Sequence, residues 1–253
     1  MAKRKIPKAK KEKAKKEKAK KEKAKKEKRK GEVSIIVPTA RSIDTLEACL
    51  QSIRLYTEIP YEIIIMINSP YKGFREKALR LINMRGGQEV ALVVKEYLGF
   101  VRACNMSAEV ARGQNIIILN DDVRVGYRWA KRLLSPFHDP NVGATGAKVL
   151  YHDGDFHCKN YGKYKYAECW CMATRKEIIK RLGLFDTNLE FSYCEDADFA
   201  MKLQENGYDI KQVAIPILHH GQMTTHGTKT LKKKCMKSEK KNREYLIKKW
   251  GEK

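Results

Sequence analysis

The chain has 253 residues, of which 42% are hydrophobic and 9% are aromatic. This length suits one ordinary enzyme domain or two small ones, and the composition excludes a wholly disordered chain. The formal net charge of +23 is carried almost entirely by the two ends, because residues 1–30 contribute +14 and residues 229–253 contribute +8. Residues 31–228 are close to neutral, which argues against a folded core that itself binds nucleic acid.

The N-terminal segment contains four copies of the sequence Lys-Ala-Lys-Lys-Glu, at residues 8–27. These residue types favour a helix, but the repeat builds no apolar face, so we expect a solvated helical or disordered tail over 1–31. Such a tail either keeps the protein in solution or attaches it to anionic lipid or another polyanion. No apolar segment follows it as in a signal sequence, and no apolar run is long enough to span a membrane.

Strands and helices are predicted to alternate over residues 33–122. Runs rich in β-branched residues predict buried strands at Val33–Val37, Glu62–Ile67, Val90–Val94 and Ile116–Leu119. Amphipathic segments predict a helix capped by Asp44 and further helices over Phe74–Met84, Gly99–Ala111 and Tyr127–Leu134. This alternation predicts right-handed βαβ units, and therefore an α/β fold with a mostly parallel sheet flanked by helices. Ligands of such sheets bind at the carboxyl ends of the strands.

Two clusters of possible metal ligands directly follow predicted strands. Asn120, Asp121 and Asp122 come after the fourth strand, and acids in this position can hold a divalent cation that bridges phosphate oxygens. The same residues can equally form a polar turn in which Asp122 caps the next helix. His219 and His220 follow a strand predicted over 210–215, and either can complete a metal site, although a surface histidine is the commoner outcome.

A second acidic cluster, Glu195, Asp196 and Asp198, lies at the start of a predicted helix that ends at Gly207. The helix dipole alone stabilises acids at this position, but one of them can also serve as a general base. Positions 195 and 198 share a helical face, whereas position 196 points about 100° away. We therefore expect Asp198 to cap the helix or hold a loop, and Asp196 to face a substrate.

The cysteines and aromatic residues of the second half leave two questions open. Cys158, Cys169 and Cys171 beside His157 could suggest zinc, but no standard ligand spacing is present, which favours small core or pocket residues. The seven cysteines of the chain lack the spacing of a disulfide framework, which indicates free thiols in a reducing cytoplasm. Four aromatic residues either form a sugar-stacking wall or fill the core: Tyr161, Tyr164, Tyr166 and Trp170.

Taken in order, these segments resemble the family-2 glycosyltransferases with the GT-A fold, over about residues 32–222. The matching segments of the first half are Val33–Thr39, Tyr61–Ile65, Leu98–Asn105, Ala111–Gly113 and Ile116–Val123. Those of the second half are Cys171–Glu177, Leu182–Asp186, Glu195–Phe199 and Asn206–Tyr208. The resemblance implies a Rossmann-like GT-A domain over 32–228, with a nucleotide-binding half at about 32–125 and an acceptor half at about 126–228. Residues 229–253 would then form a basic C-terminal helix or tail.

The resemblance also implies a reaction: transfer of a sugar from a nucleotide-diphosphate donor to an acceptor hydroxyl, with inversion and with Mn²⁺ or Mg²⁺. The Asn120–Asp122 segment lies where the family has its Asp-x-Asp motif. Asp122 is the implied metal ligand, helped by Asp121 or Asn120 and by a histidine at 219 or 220. Asp196 is the implied catalytic base, with Glu195 as the alternative.

The donor is expected to contact the loop after the first strand, at Pro38, Thr39 and Arg41. Three further residues of the matching segments are expected to help bind it: Arg102, Asn120 and Asp121. Where the family often has an aspartate after the second strand, this chain has Asn68, which is the remaining candidate for reading the base. Trp170 and Asp198 are candidates on the acceptor side.

The expected acceptor is a glycan, a lipid-linked molecule or a protein. The basic ends could add a peripheral contact with an anionic membrane, and no specific nucleic acid is expected. Two other functions compete with this interpretation. A nucleotidyltransferase of similar architecture generally has a glycine-rich loop after the first strand, whereas Val37–Ser42 contains no glycine. A protein that binds polyanions through its tails is the other alternative.

Overall fold

The computed structural model describes residues 33–82, 88–151, 165–221 and 229–251. The predicted tail over 1–31 lies outside the described residues, as do His157, Cys158, Tyr161 and Tyr164.

Up to residue 119 the described chain alternates strands and helices, as the sequence predicts. The strands are β1 Val33–Thr39, β2 Tyr61–Asn68, β3 Glu89–Val94, β4 Asn115–Leu119, β5 Val123–Val125, β6 Val142–Gly146, β7 Val149–Tyr151, β8 Lys165–Ala167, β9 Cys171–Arg175, β10 Asp209–Gln212 and β11 Ile217–His219. The helices are α1 Ile43–Tyr56, α2 Lys72–Leu81, α3 Phe100–Val110, α4 Trp129–Leu134, α5 Lys176–Leu182, α6 Glu195–Glu205 and α7 Lys229–Trp250, and a 3₁₀ turn covers Ser135–His138.

The central sheet has the strand order β10-β6-β9-β4-β1-β2-β3. All neighbouring pairs are parallel except the two that β9 makes with β4 and β6, so β9 alone runs against the other six strands. Two small antiparallel pairs, β5–β11 and β7–β8, stand beside this sheet. The α/β class and the mostly parallel sheet are therefore confirmed.

The core lies on both faces of the sheet, because successive strand residues point to opposite sides. On one side, Ile36 and Ile64 pack with apolar residues of α3 and α6. On the other side, Ile35 and Ile65 pack with apolar residues of α1, α2 and α4. A sheet covered on both faces explains why its strands read as continuous apolar runs in the sequence.

Several element ends differ from the sequence-based expectation. Ser42, rather than Asp44, is the N-cap of α1, and its side chain accepts a hydrogen bond from the Thr45 amide at 3.3 Å. Asp44 lies in the first turn, where the helix dipole favours an acid. Asp122 does not cap a helix, since β5 follows it and α4 begins only after Arg128, which adopts a left-handed conformation with φ of 62°.

The C-terminal segment is a 22-residue helix, α7, that packs on the domain along one face. Its buried positions follow helical spacing: Cys235, Ser238, Asn242 and Leu246. The opposite face is rich in lysine. Within the part of the chain that the structure describes, neither α7 nor any other helix is both long and apolar enough to cross a membrane.

Candidate active site

A cavity of about 280 Å³ opens at the carboxyl ends of β1, β2 and β4. The edge is the one at which ligands bind in parallel sheets. The structure brings these sequence-predicted site residues to its wall: Pro38, Thr39, Asn68, Asn120, Asp121, Asp122, Trp170, Glu195, Asp196 and His219. The side chains of the remaining four candidates lie elsewhere: Arg41, Arg102, Asp198 and His220.

Asp122 and His219 form one side of this cavity. The antiparallel pairing of β5 with β11 places Val123 opposite His219, which brings the imidazole next to Asp122. Nε2 of His219 lies 3.3 Å from Oδ1 of Asp122. The neighbouring His220 donates only its backbone N–H to the Asp122 carbonyl, at 3.0 Å, and its side chain is exposed beside a second cavity. Of the two histidines, His219 is therefore the one whose side chain could bind the same metal ion as Asp122.

The donor set at this point suits a metal that is completed by substrate. No group of three or more His, Cys, Asp or Glu side chains forms a metal cage within the described ranges. Asp122 and His219 supply one oxygen and one nitrogen, and within the described residues the buried Nε2 of His219 has only its 3.3 Å approach to the Asp122 carboxylate. Divalent ions in phosphate-transferring sites commonly take a few protein ligands and fill the rest of their shell with phosphate oxygens and water. The pair fits that role.

Asp121 ties the acidic segment to the loop after β1. Its Oδ2 accepts a hydrogen bond from the Thr39 hydroxyl at 2.6 Å, and both residues are buried. Burial raises the pKa of Asp121 to about 7; the charge of Asp122 acts in the same direction, and the Thr39 hydrogen bond opposes both. Asp121 therefore holds two strand ends together at the cavity floor.

Glu195 and Asp196 form another part of the wall, at the first turn of α6. The loop before them is unusual, because Phe191, Tyr193 and Cys194 all have positive φ, at 52°, 73° and 73°. Non-glycine residues adopt this conformation rarely. The loop aims the two acids differently: Glu195 is buried, with Oε2 lacking a hydrogen-bond partner among the described residues, whereas Asp196 is only half-buried.

The surroundings of this acid pair make both side chains hard to ionise. Burial raises the pKa of Glu195, and the charge of Asp196 adds to that effect. Burial also raises the pKa of Asp196, and the charge of Glu168 adds to it. A carboxylate with a raised pKa is a stronger base than an ordinary surface carboxylate and suits proton abstraction near neutral pH.

Asn68 shapes the cavity through its side-chain amide. Its Oδ1 accepts from the Leu98 N–H at 2.7 Å, and its Nδ2 donates to the Gly99 carbonyl at 3.0 Å. Gly99 has φ of 86°, and a Cβ built there would lie 2.5 Å from the Phe191 Cα, so this close approach requires glycine. Asn68 thus fixes the loop that leads into α3, in addition to lining the cavity.

Three predicted site residues have side chains outside the cavity wall. The Arg41 guanidinium lies 5.5 Å from the ring centre of Tyr71, and Arg102 is exposed on α3. Asp198 is fully buried, and its Oδ1 accepts from Lys249 Nζ at 2.7 Å and Trp250 Nε1 at 2.9 Å. Asp198 therefore holds the C-terminal helix, whereas the sequence-based expectation was that it caps its own helix or holds a loop.

Glu168 lines the cavity but is absent from the sequence-based candidates. It accepts from Trp170 Nε1 at 2.9 Å and forms an ion pair with Lys148 at 3.2 Å. Trp170 in turn stacks on His219, with ring centres 4.5 Å apart and planes 16° apart. Trp170 thus lines the cavity and also packs against the core. A lone Glu two residues before Trp170 carries no sequence signal of this arrangement.

The architecture is the GT-A fold of nucleotide-sugar glycosyltransferases. A mannosyltransferase from Pyrobaculum calidifontis, solved in complex with GDP-Man and Mn²⁺, matches it with a TM-score of 0.59 and 19% identity over 72% of this chain and 55% of that one. GalNAc-T7, solved with UDP, GalNAc and Mn²⁺, matches with a TM-score of 0.63 and 17% identity over 75% of this chain and 44% of that one. The fold expected from the resemblance is confirmed.

A family model described as Glycosyl transferase family 2 matches residues 34–193, which is more than half of the chain. The protein belongs to this family.

Two curated relatives are longer proteins. The O-antigen biosynthesis protein RfbC of Myxococcus xanthus is 23% identical over 224 residues, which cover 75% of this chain and 17% of that protein. The uncharacterized protein y4gI of Sinorhizobium fredii (strain NBRC 101917 / NGR234) is 24% identical over 229 residues, which cover 77% of this chain and 25% of that protein. The chain therefore spans a quarter or less of the curated relatives it matches.

Proposed function

We propose that this glycosyltransferase moves a sugar from a nucleotide-diphosphate donor to an acceptor hydroxyl, with inversion at the anomeric carbon and with a divalent metal ion. One observation carries the proposal. The Asp122–His219 pair and the Glu195–Asp196 pair line the same cavity at the carboxyl edge of the sheet. An inverting transfer needs these two functions together, one to stabilise the leaving diphosphate and one to accept the proton of the acceptor.

Asp122 and His219 would hold Mn²⁺ or Mg²⁺. A bound ion of this kind supplies positive charge that offsets the charge on the leaving diphosphate without a proton transfer. The Mn²⁺ in the two solved glycosyltransferases supports this choice of cofactor. Trp170 covers one face of the His219 ring and so keeps the imidazole in place.

The nucleotide would lie over the ends of β1 and β2. Pro38, Thr39, Asn68 and Asn120 line the cavity there and are the donor-binding residues we favour. The GDP-Man and UDP of the two solved structures support a nucleotide-sugar donor without fixing its base. Arg41 remains a prediction, since a donor contact would require its guanidinium to leave the Tyr71 ring.

Arg102 also remains a prediction for the donor, because its side chain is exposed on α3 outside the cavity wall. The same holds for Asp198 on the acceptor side, since its carboxylate is committed to Lys249 and Trp250. Neither residue carries a step of the proposed reaction.

Asp196 is the general base in this proposal. The acceptor hydroxyl gives its proton to the Asp196 carboxylate while its oxygen bonds to the anomeric carbon. The bond from that carbon to the diphosphate oxygen breaks, and the electron pair leaves with the diphosphate. Asp196 is favoured over Glu195 because it is half-buried and open to the cavity, whereas Glu195 is buried. Glu195 is then a second acid, whose pKa is raised by burial and by the charge of Asp196.

The acceptor would bind beside Asp196, where aromatic side chains of the wall can contact a sugar ring. Tyr97, Phe100, Trp170 and Tyr193 provide that surface. The O-antigen biosynthesis relative supports a glycan acceptor, either free or lipid-linked. Proteins are the other class of acceptor, and a screen of possible acceptors should include them.

The basic ends would add peripheral contact with an anionic membrane. The exposed residues of α7 are mostly basic, with one acid among them: Lys232, Lys233, Lys234, Met236, Lys237, Lys240, Lys241, Glu244, Ile247 and Lys248. Clustered lysines near a surface of anionic lipid attract it electrostatically. A cytoplasmic location stays a prediction, supported by the six buried free thiols of the described residues.

The experiment that tests the proposed function is a thermal-shift screen of the full chain against nucleotide sugars with Mn²⁺ or Mg²⁺. A donor at 100 times its Kd should add about 2.7 kcal/mol to the free energy of unfolding. The shift should need both the metal and the diphosphate, and a nucleoside monophosphate is the matched control. Stabilisation by polyanions such as heparin, with none by any nucleotide sugar, would contradict the proposal.

A further inference from the structure

The C-terminal helix α7 makes a concentrated set of contacts with the loop before the acid pair. Asn242 is 1% exposed and lies against residues 190–193. Its Oδ1 accepts from the Glu190 N–H at 2.8 Å. Its Nδ2 lies within hydrogen-bond distance of three carbonyl oxygens, those of Glu190 at 2.9 Å, Ser192 at 3.2 Å and Tyr193 at 3.0 Å. One side chain thus contacts backbone groups of three of the four residues 190–193.

This loop requires such support because of its backbone conformation. Phe191, Tyr193 and Cys194 have positive φ without being glycine. Residues in sparsely populated conformations persist only where the surroundings determine them, and they cluster at functional sites. Cys194 is the residue directly before Glu195, so the loop conformation sets the direction in which α6 begins.

The same helix also binds the residues after the acid pair. Lys249 Nζ and Trp250 Nε1 both donate to Oδ1 of Asp198, which is fully buried. Lys249 pairs with Asp186 as well, at 2.7 Å. The contacts of α7 therefore fall on both sides of the acid pair. Tyr193 lies two residues before Glu195, and Asp198 lies two residues after Asp196.

We propose that Asn242 is a positioning residue for the transfer reaction: it holds residues 190–193 in the conformation that directs Glu195 and Asp196 into the cavity. The C-terminal helix is then part of the architecture of the active site, and not only a basic appendage. This inference rests on the proposed function, in which the acid pair supplies the base.

The test is the substitution Asn242→Asp, which keeps the shape and the acceptor atom but replaces the donor with an oxygen facing three carbonyl oxygens. We expect kcat to fall by about 10- to 100-fold, since a misplacement of about 1 Å can have an effect of this size. The donor KM should stay unchanged, because the donor half of the cavity lies on other loops. In Asn242→Ser, which adds no negative charge near the acids, the acidic limb of the kcat–pH profile should move to lower pH as the acid pair becomes more solvated.

The matched control is Asn206→Asp, at the opposite end of α6. Asn206 is exposed and its Nδ2 donates to the Lys202 carbonyl at 2.8 Å, so the chemical change is the same and the loop is untouched. Neither kcat nor the pH profile should change in this variant. If Asn242→Asp fails to fold, Asn242→Ser replaces it as a smaller polar substitution. A folded variant at 242 with the kcat and pH profile of the unaltered protein would overturn the proposal.

Hydrogen exchange of the peptide covering residues 189–196 separates this inference from the proposed function. Exchange should become faster in the Asn242 variants and stay unchanged in Asn206→Asp, whether or not a substrate is known. If the unaltered chain transfers no sugar from any donor, the proposed function fails, and faster exchange would still support the positioning role. Equal exchange in the Asn242 and Asn206 variants would overturn it.

Discussion

Replacing Asp196 by asparagine should remove most of the transferase activity while leaving donor binding intact. The substitution keeps the shape of a half-buried side chain on the cavity wall and removes its ability to accept a proton. Asp196 Oδ1 accepts from the Ala197 N–H at 2.8 Å, and the amide oxygen of asparagine can keep that hydrogen bond. The variant therefore tests basicity rather than local folding.

The expected loss follows from the role of the residue. A positioned general base contributes roughly 10²- to 10⁴-fold to the rate, which raises the barrier by about 2.7–5.4 kcal/mol when the base is lost. In the unaltered protein the base works when it is deprotonated, so kcat should fall as the pH drops through the pKa of the pair. Burial raises that pKa in both Glu195 and Asp196, so the fall should occur above the ordinary carboxylate range.

The assay is steady-state kinetics over a range of pH, together with calorimetric titration of the donor nucleotide into each variant. Glu195→Gln provides the comparison within the pair, and Glu205→Gln, at the exposed end of the same helix, is the control. If Asp196→Asn keeps the kcat of the unaltered protein and Glu195→Gln does not, the assignment within the pair is wrong. If both variants keep it, the base lies elsewhere.

Three further outcomes are expected. Asp122→Ala should abolish metal-dependent nucleotide binding in calorimetry while His220→Ala keeps it, and full turnover in excess chelator would refute the metal role. Because burial raises the folded-state pKa of Glu195 and Asp196, the folded protein binds their protons more tightly than the unfolded chain, so the free energy of unfolding should decrease from about pH 5 to pH 8. Urea denaturation should show a shallower decrease in Glu195→Gln, and equal slopes would argue against the raised pKa. Deleting residues 1–30 should weaken sedimentation with anionic vesicles at low salt, and unchanged binding would leave the tail a solubilising role only.

Local sequence patterns were sufficient to predict the family, the fold class and the edge of the sheet at which the cavity lies. Strands such as Val33–Thr39 are apolar on both faces, and this property is local and readable. The order of the motifs then distinguishes one α/β family from others. The reversed direction of β9 could not be derived in this way, because strand direction depends on pairing with β4 and β6 across the sheet.

The details of the site depend on contacts between distant segments. The stack of Trp170 on His219 joins residues 49 positions apart through the β5–β11 pairing, and no local spacing encodes it. The C-terminal helix reads as a lysine-rich segment, and nothing in that pattern distinguishes the buried Asn242 from its many charged neighbours. The left-handed conformation of Cys194 is equally unreadable, since the residue type does not favour it.

The most direct test of the proposed inverting mechanism is the anomeric configuration of the first product. Proton NMR can monitor it in a reaction that contains Mn²⁺ and the donor identified in the thermal-shift screen. Slow transfer to water suffices where the acceptor is not yet known, provided that early time points precede mutarotation. Inverting transfer should give a product with the configuration opposite to that of the donor, formed only with metal present and lost in Asp196→Asn. A product that retains the donor configuration, or one formed equally fast in Asp196→Asn, would contradict it.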